Sequence, residues 1–323
     1  MVGRRAVLAQ VEELGRQGRW AELLALCVEM ADASRATRDV GHASWQRQAV
    51  HQAAHRIAVE GPARVAAQLV RQDWQHLGPL WEVVATRHAW ADLRDHAPPG
   101  EGTHLAAHTR VLLGEDLSGD GLLDPAVLGL PFVLQPWEAH AWGHVDDMPH
   151  YSRSSMSTGG HAGRATGACP LPEPGRRLDD GPAETALEHL VHDWGNVATV
   201  TVAGTALHAV AALHAGAGTT HVQGSHLPAG EVFPALIGPA RGDGPHTTYR
   251  GTAVGRLLVW RALAAMADVA PGDYLPVDEI TAFVDRCRWF TWAAPDDEIW
   301  HLHIAVDDPA RGRAWALSAQ AFD

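Results

Sequence analysis

Lysine is absent from the 323 residues, and all 25 basic side chains are arginine. That excludes Schiff-base chemistry, a lysine-bearing phosphate loop and a protein-kinase-like site. Asn occurs once, at Asn196, and Ile five times, a bias of a GC-rich bacterial genome rather than of selected chemistry. Cysteine is scarce too. Cys27, Cys169 and Cys287 are odd in number, widely spaced and form no C-x-x-C, which excludes a disulfide framework and a cysteine-type zinc site. No G-x-S-x-G is present, so the nucleophile elbow of the α/β-hydrolases is missing. No apolar run reaches the roughly 18 residues of a membrane span. Glu12 and Glu13 interrupt the apolar stretch after Arg4 and Arg5 too early for a signal peptide, so a cytoplasmic protein is expected.

Positive charge is in short supply. The formal net charge is −13, and the arginines are scattered, with Arg4/Arg5 and Arg176/Arg177 the densest pairs. An acidic chain without a basic stripe repels nucleic acid and anionic lipid. What the chain does have is 13 Trp within a 46% hydrophobic composition, enough for a real core.

Residues 1 to 115 read as helices. Trp20, Leu23, Leu24, Cys27 and Met30 fall at helical spacing, as do Trp45, Ala49, Val50, Ala53, Ile57 and Ala58. Gly61-Pro62 ends one helix and opens another. Trp20-Ala21-Glu22-Leu23 is echoed by Trp90-Ala91-Asp92-Leu93, which suggests stacked helical hairpins. Residues 116–183 are rich in Gly, Pro, Ser and Asp, and read as irregular, with a short strand at Phe132–Leu134 and a mobile loop over 148–177. The last third mixes both element types. "AETALEHLVHDWG" is an amphipathic helix and "NVATVTVAGT" alternates as a strand. "TALHAVAALHAG" fits either. "TAVGRLLVWRALAAMAD" is the clearest helix, "PVDEITAFVDRCRWF" runs from helix into strand, and two strands flank "DDPARGR" near the end.

The segments "GTAVGRLLVWRALAAMAD", "VDEITAFVDRCRWFTW", "DDEIWHLHIAV" and "WALSAQAFD", together with "RVLLGEDLSGDGLLDPAVLGLPFVLQPWE", resemble a family of bacterial proteins of unknown function. The resemblance supports the order of elements and implies no activity, cofactor or catalytic residue.

Histidine, with 21 residues, is the main chemical lead. His51-x3-His55 and His104-x3-His108 have the helical spacing of zinc peptidases, but Gln52 and Leu105 stand where the general-base Glu belongs, so a solvated helix face is the better reading. His221 and His226 lie in a polar stretch read as a loop, and His161 in a Gly-flanked one; such residues can reach a ligand. His192 and Asp193 are adjacent and would point apart on a helix. His301-x-His303, with Asp307 beyond, reads as strand register: Trp300, Leu302, Ile304 and Val306 take one face and the imidazoles the other. The densest set of potential ligands is "PWEAHAWGHVDDMPH", with Glu138, His140, His144, Asp146, Asp147 and His150; carboxylate plus imidazole suits Zn, Fe or Mn. Arg250 and Arg256 flank the start of the clearest helix, where anions bind, although a packed helix with Arg on its rim is the plainer explanation.

The expected architecture is α+β: a helical, repeat-like N-terminal half (1–115), an irregular connecting region (116–183) and a C-terminal domain (184–323) with a small antiparallel sheet packed by helices. The leading functional expectation is a cytoplasmic interaction or binding protein on a helical scaffold, with a protein partner and neither nucleic acid nor membrane; the oligomeric state is left open. The alternative is a metal-dependent, hydrolase-like enzyme using residues 137–150. No cofactor is predicted for the first reading, and the second needs a divalent transition metal. The metal candidates are Glu138, His140, His144 and His150, and the binding candidates His161, His221, His226, Arg250 and Arg256.

Overall fold

The computed structural model describes residues 4–36, 40–71, 78–138, 167–244, 247–270, 274–293 and 300–321. The chain divides into two compact units, one of Met1–Leu113 with Asp120–Asp124, the other of Gly114–Gly119 with Pro125–Asp323.

The first unit is helical: α1 (Arg4–Arg16), α2 (Trp20–Ala36), α3 (Val40–Glu60), α4 (Ala63–Ala66) continued by a 3-10 turn (Ala67–Val70), α5 (Leu80–Arg87), α6 (Trp90–Leu93) and α7 (Glu101–Leu112). Leu23, Cys27, Met30 and Ala31 give α2 its buried stripe, which packs with Ala49, Val50, Ala53, Ala54, Ile57 and Ala58 of α3. The Trp-Ala-acidic-Leu echo opens a helix both times, but α2 runs for 17 residues and α6 for four. Asp120 is drawn into this unit because its carboxylate accepts from the Trp90 indole (2.6 Å) and the Leu122 amide (2.9 Å) and pairs with Arg94 (3.1 Å).

The second unit is α+β. Its elements are β1 (Gly167–Pro170), α8 (Gly181–Leu190), β2 (Asn196–Ala203), α9 (Ala206–Leu213), β3 (His221–Leu227), α10 (Ala229–Ala240), α11 (Thr252–Met266), α12 (Val277–Arg286), β4 (Arg288–Ala293), β5 (Trp300–Asp308) and β6 (Arg313–Ala321). The strands form one antiparallel sheet in the order β1-β3-β4-β5-β6-β2. One face carries Phe290, Ala305, Ala316 and Val200 in register and is covered by α9. The ambiguous "TALHAVAALHAG" is therefore this helix, started by a Thr205–His208 capping box. The other face carries Trp289, Val306 and Trp315; Phe283 of α12 packs edge-on to Trp315 at 5.9 Å. β5 lies between two neighbours and beneath helices, so every residue from Leu302 to Asp308 is buried.

Three local expectations differ from the structure. The stretch read as a mobile loop over 148–177 lies outside the described residues up to 166, and beyond them it holds β1, hydrogen-bonded to β3, and an Arg177–Val202 bridge. Phe132 and Val133 form a bend rather than a strand, because the carbonyls of Pro131 and Val133 accept from the Arg256 guanidinium. The stretch with His221 and His226 is a strand rather than a loop. Small and polar residues hide its period of two, and Gly224 is required there: a Cβ would stand 2.4 Å from the Phe290 ring and 2.6 Å from the Thr291 carbonyl oxygen.

Candidate functional site

The site is built around α11. This helix is buried on nearly all sides, and Arg256 lies within it with no exposed surface. A charge in such a place requires a partner. Glu138, likewise wholly buried, supplies it. Arg256 Nε donates to Oε1 (2.7 Å) and Nη2 to Oε2 (2.8 Å). The fork geometry matches a carboxylate in a way lysine does not. The Trp260 indole also donates to Oε1 (2.9 Å) and the Gln135 amide to Oε2 (2.8 Å). Arg256 Nη1 and Nη2 reach the carbonyls of Pro131 (3.0 Å) and Val133 (3.2 Å). Two of the sequence candidates thus meet, and each Glu138 oxygen already accepts two donors, which leaves it bonded as an anchor rather than presented to an ion.

The anchor fixes the residue beside it. Trp137 stacks edge-on to Phe233 (5.3 Å) and tilted on Trp260 (5.1 Å), and its indole donates to Thr281 Oγ1 (3.2 Å). Trp137 forms one wall of a narrow apolar cleft with a cavity volume of about 10 Å³, and its other walls include Ala229, Phe233 and Leu236 of α10, Val259 of α11, Val284 of α12 and Trp289 of β4. Trp289 is 4% exposed, and its indole N–H has no acceptor.

The remaining candidates lie elsewhere. His221, at the start of β3, is exposed and its Nδ1 shares a contact with Thr220 Oγ1 (3.1 Å). His226 donates from Nδ1 to the Trp289 carbonyl (3.1 Å) and meets Phe290 edge-on at 5.2 Å. Arg250 pairs with Asp193 (3.0 Å) and contacts His192 Nδ1 (3.2 Å). His192 and Asp193 are themselves joined (2.7 Å), since α8 stops at Leu190 and the following turn swings the two side chains together. Burial of Asp193 alone would raise its carboxyl; His192 and Arg250 outweigh this and hold it below the usual range. His140, His144, His150 and His161 lie outside the described residues. Among the described residues no three His, Cys, Asp or Glu side chains are grouped to hold a metal ion.

The H-x-H pair is not on a wet face. His303 is 3% exposed, stacked between Trp292 (5.3 Å) and His301 (5.5 Å), with its Nδ1 on Ser318 Oγ (3.0 Å). Asp307 is committed elsewhere, to Arg288 (2.5 Å) and to the first amide of α9 (3.2 Å). His104 is bonded at both ring nitrogens, Nδ1 donating to Gly100 O (2.9 Å) and Nε2 accepting the Asp124 amide (3.1 Å), so it serves as a structural link. Burial pushes the Cys27 thiol up to about 12 and raises Cys287 as well, so neither is a reactive thiol.

Sequence reasoning missed Trp289, Trp260 and the cleft. One signal was present: a lone Arg on an otherwise apolar stretch, "AVGRLLVW", demands a buried carboxylate. Trp289 gave none, because its significance rests on an acceptor it does not find.

Among the described residues no helix is long and apolar enough to cross a membrane. No curated protein and no solved structure matches the chain. The model of a family of unknown function (DUF6183) matches residues 5–323, so the chain belongs to that family.

Proposed function

We propose that the chain is a cytoplasmic bacterial interaction or binding protein, with the helical first unit as scaffold. One observation carries the reading. The buried carboxylates Glu138, Asp307 and Asp308 of the second unit are each engaged with an arginine (Arg256, Arg288 and Arg286) in bonds that hold structure rather than presented to a substrate. A protein partner for the helical unit belongs to the same reading, as scaffolds of packed helices offer extended surfaces.

Native mass spectrometry of gently purified protein tests the reading. The chain is expected to carry a partner protein in stoichiometric amount, and a chain recovered alone argues against it.

A further inference from the structure

Helices α3 and α5 pack against each other in the first unit. With His88, which ends α5, they carry polar atoms that the fold leaves unpaired. Gln46 Oε1 and His55 Nε2 on α3, Trp81 Nε1 on α5 and His88 Nε2 are each buried and without a hydrogen-bond partner. Buried polar atoms are nearly always satisfied, because each one left unpaired has given up its hydration for nothing. A helix pair that holds several is a weak place in its unit.

Two of these atoms are imidazole nitrogens, and an imidazole can take a proton. His55 lies face to face with His51, one turn earlier on α3, the rings 6.1 Å apart and 6° from parallel. His88 reaches across to α3 and holds the Ala58 carbonyl with its other ring nitrogen. In the neutral tautomer with its proton on Nδ1, each Nε2 is a bare acceptor shut away from water. Protonation turns it into a cationic N–H with no acceptor, and a buried charge without a partner costs far more than a bare nitrogen.

The surroundings do little to relieve that charge. His55 meets His51 on its own helix and Arg87 of α5, and the opposing carboxylate, Glu60, is already held by Arg56 (3.1 Å). Glu12 of α1 is taken by the same arginine (2.8 Å). His88 meets Arg110 of α7, whose guanidinium is fixed on the Ala85 carbonyl (2.8 Å), against Asp92 of α6. Burial is the largest influence on both rings, and both are held below the usual histidine value.

We propose that the α3–α5 seam is an acid-released latch: at neutral pH the uncharged rings of His55 and His88 keep it closed, and on mild acidification they take protons, turn out to water and let α5 part from α3 while the second unit stays folded. The proposal goes beyond the binding reading and needs no partner. Histidines lowered in the fold stabilise it above their unfolded value of 6.5 and lose that contribution as pH falls through it toward the folded values. The surface uncovered is apolar, drawn from Ala54, Ile57 and Ala58 of α3 and Val83 and Val84 of α5, all wholly buried in the closed unit.

Hydrogen exchange of the full-length chain, read by mass spectrometry at about pH 7.5 and 5.5, brackets the ordinary histidine value. Exchange times are scaled for the intrinsic pH dependence of amide exchange. Protection of α5 is expected to fall at least about tenfold at the lower pH, the worth of one histidine shifted by one pK unit, and that of α11 to stay constant. His55→Gln with His88→Gln, which cannot take the protons, should hold α5 protection level between the two conditions. Where that variant folds poorly, wild type alone decides: the ring resonances of His55 and His88 must titrate below 6.5, over the range in which α5 opens. Protection of α5 that is unchanged with pH in wild type, that falls in step with α11, or that falls equally in the double variant overturns the proposal.

Discussion

Arg256 and Glu138, 118 residues apart in the chain, form a two-pronged ion pair with no solvent exposure on either side chain. The pair ties the segment carrying Trp137 to the centre of α11, and it makes the cleft wall a fixed surface rather than a loose one.

Breaking this pair on one side strands a buried charge. Glu138→Leu or Arg256→Met alone should cost about 3–5 kcal/mol of unfolding free energy, and the double variant clearly less than the sum of the two. Urea unfolding of the four chains measures this. Small or additive costs would show the pair to be incidental.

Asp308 gives a test by pH. Burial alone would raise its carboxyl, but the Arg286 hydrogen bond and charge, the Ala310 amide and Arg311 outweigh it, and the net value lies below the usual 3.8. A carboxylate depressed in the fold contributes stability that is present above its unfolded value and is lost as pH falls through the folded one. Asp308→Asn should therefore destabilise the protein at pH 7, with the difference from wild type shrinking as pH drops below 3.8. Unfolding free energies from neutral to acid pH check it, and a gap independent of pH would contradict it.

His51 and His55 respond in the same direction at higher pH. Their rings lie 6.1 Å apart and nearly parallel on α3. Burial lowers both below 6.5, and at His55 the charges of His51 and Arg87 lower it further against Glu60. The unfolded chain then binds more protons, so stability is full above 6.5 and declines as pH falls through that value toward the folded ones. His51→Gln with His55→Gln should flatten the decline between about pH 7.5 and 5.5. An unchanged slope in the double variant would assign the effect to other groups.

Gly102, in the first turn of α7, inverts the ordinary rule. Replacing a helical Gly by Ala gains up to about 1 kcal/mol of propensity. Here a Cβ would stand 1.7 Å from the Val70 carbonyl oxygen, a backbone atom with little freedom to move. Gly102→Ala should lower stability by at least about 2 kcal/mol, read as a shifted urea midpoint. A stabilised variant would mean the two segments separate readily.

Much of the fold is legible in the residues. The α2 and α3 stripes, the α11 helix and the β5–β6 pair all follow from periods of 3.6 and 2 that burial imposes. β3 escaped because Gln223, Gly224 and Ser225 carry no apolar signal, although Gly224 is dictated by the Phe290 ring above it. The functional reading fared differently. Glu138 and Arg256 were both singled out, for roles in separate constellations, since nothing local joins residues 118 positions apart. His301 and His303 fixed the register of β5 correctly, but α9, which buries the face that carries His303, is a tertiary fact. Trp289 and the cleft depend on four elements meeting and leave no pattern along the chain.

The most direct measurement is native mass spectrometry of the full-length chain purified gently from the cells that make it. The account predicts a partner protein held in stoichiometric amount, and a chain found alone under the same conditions would contradict it.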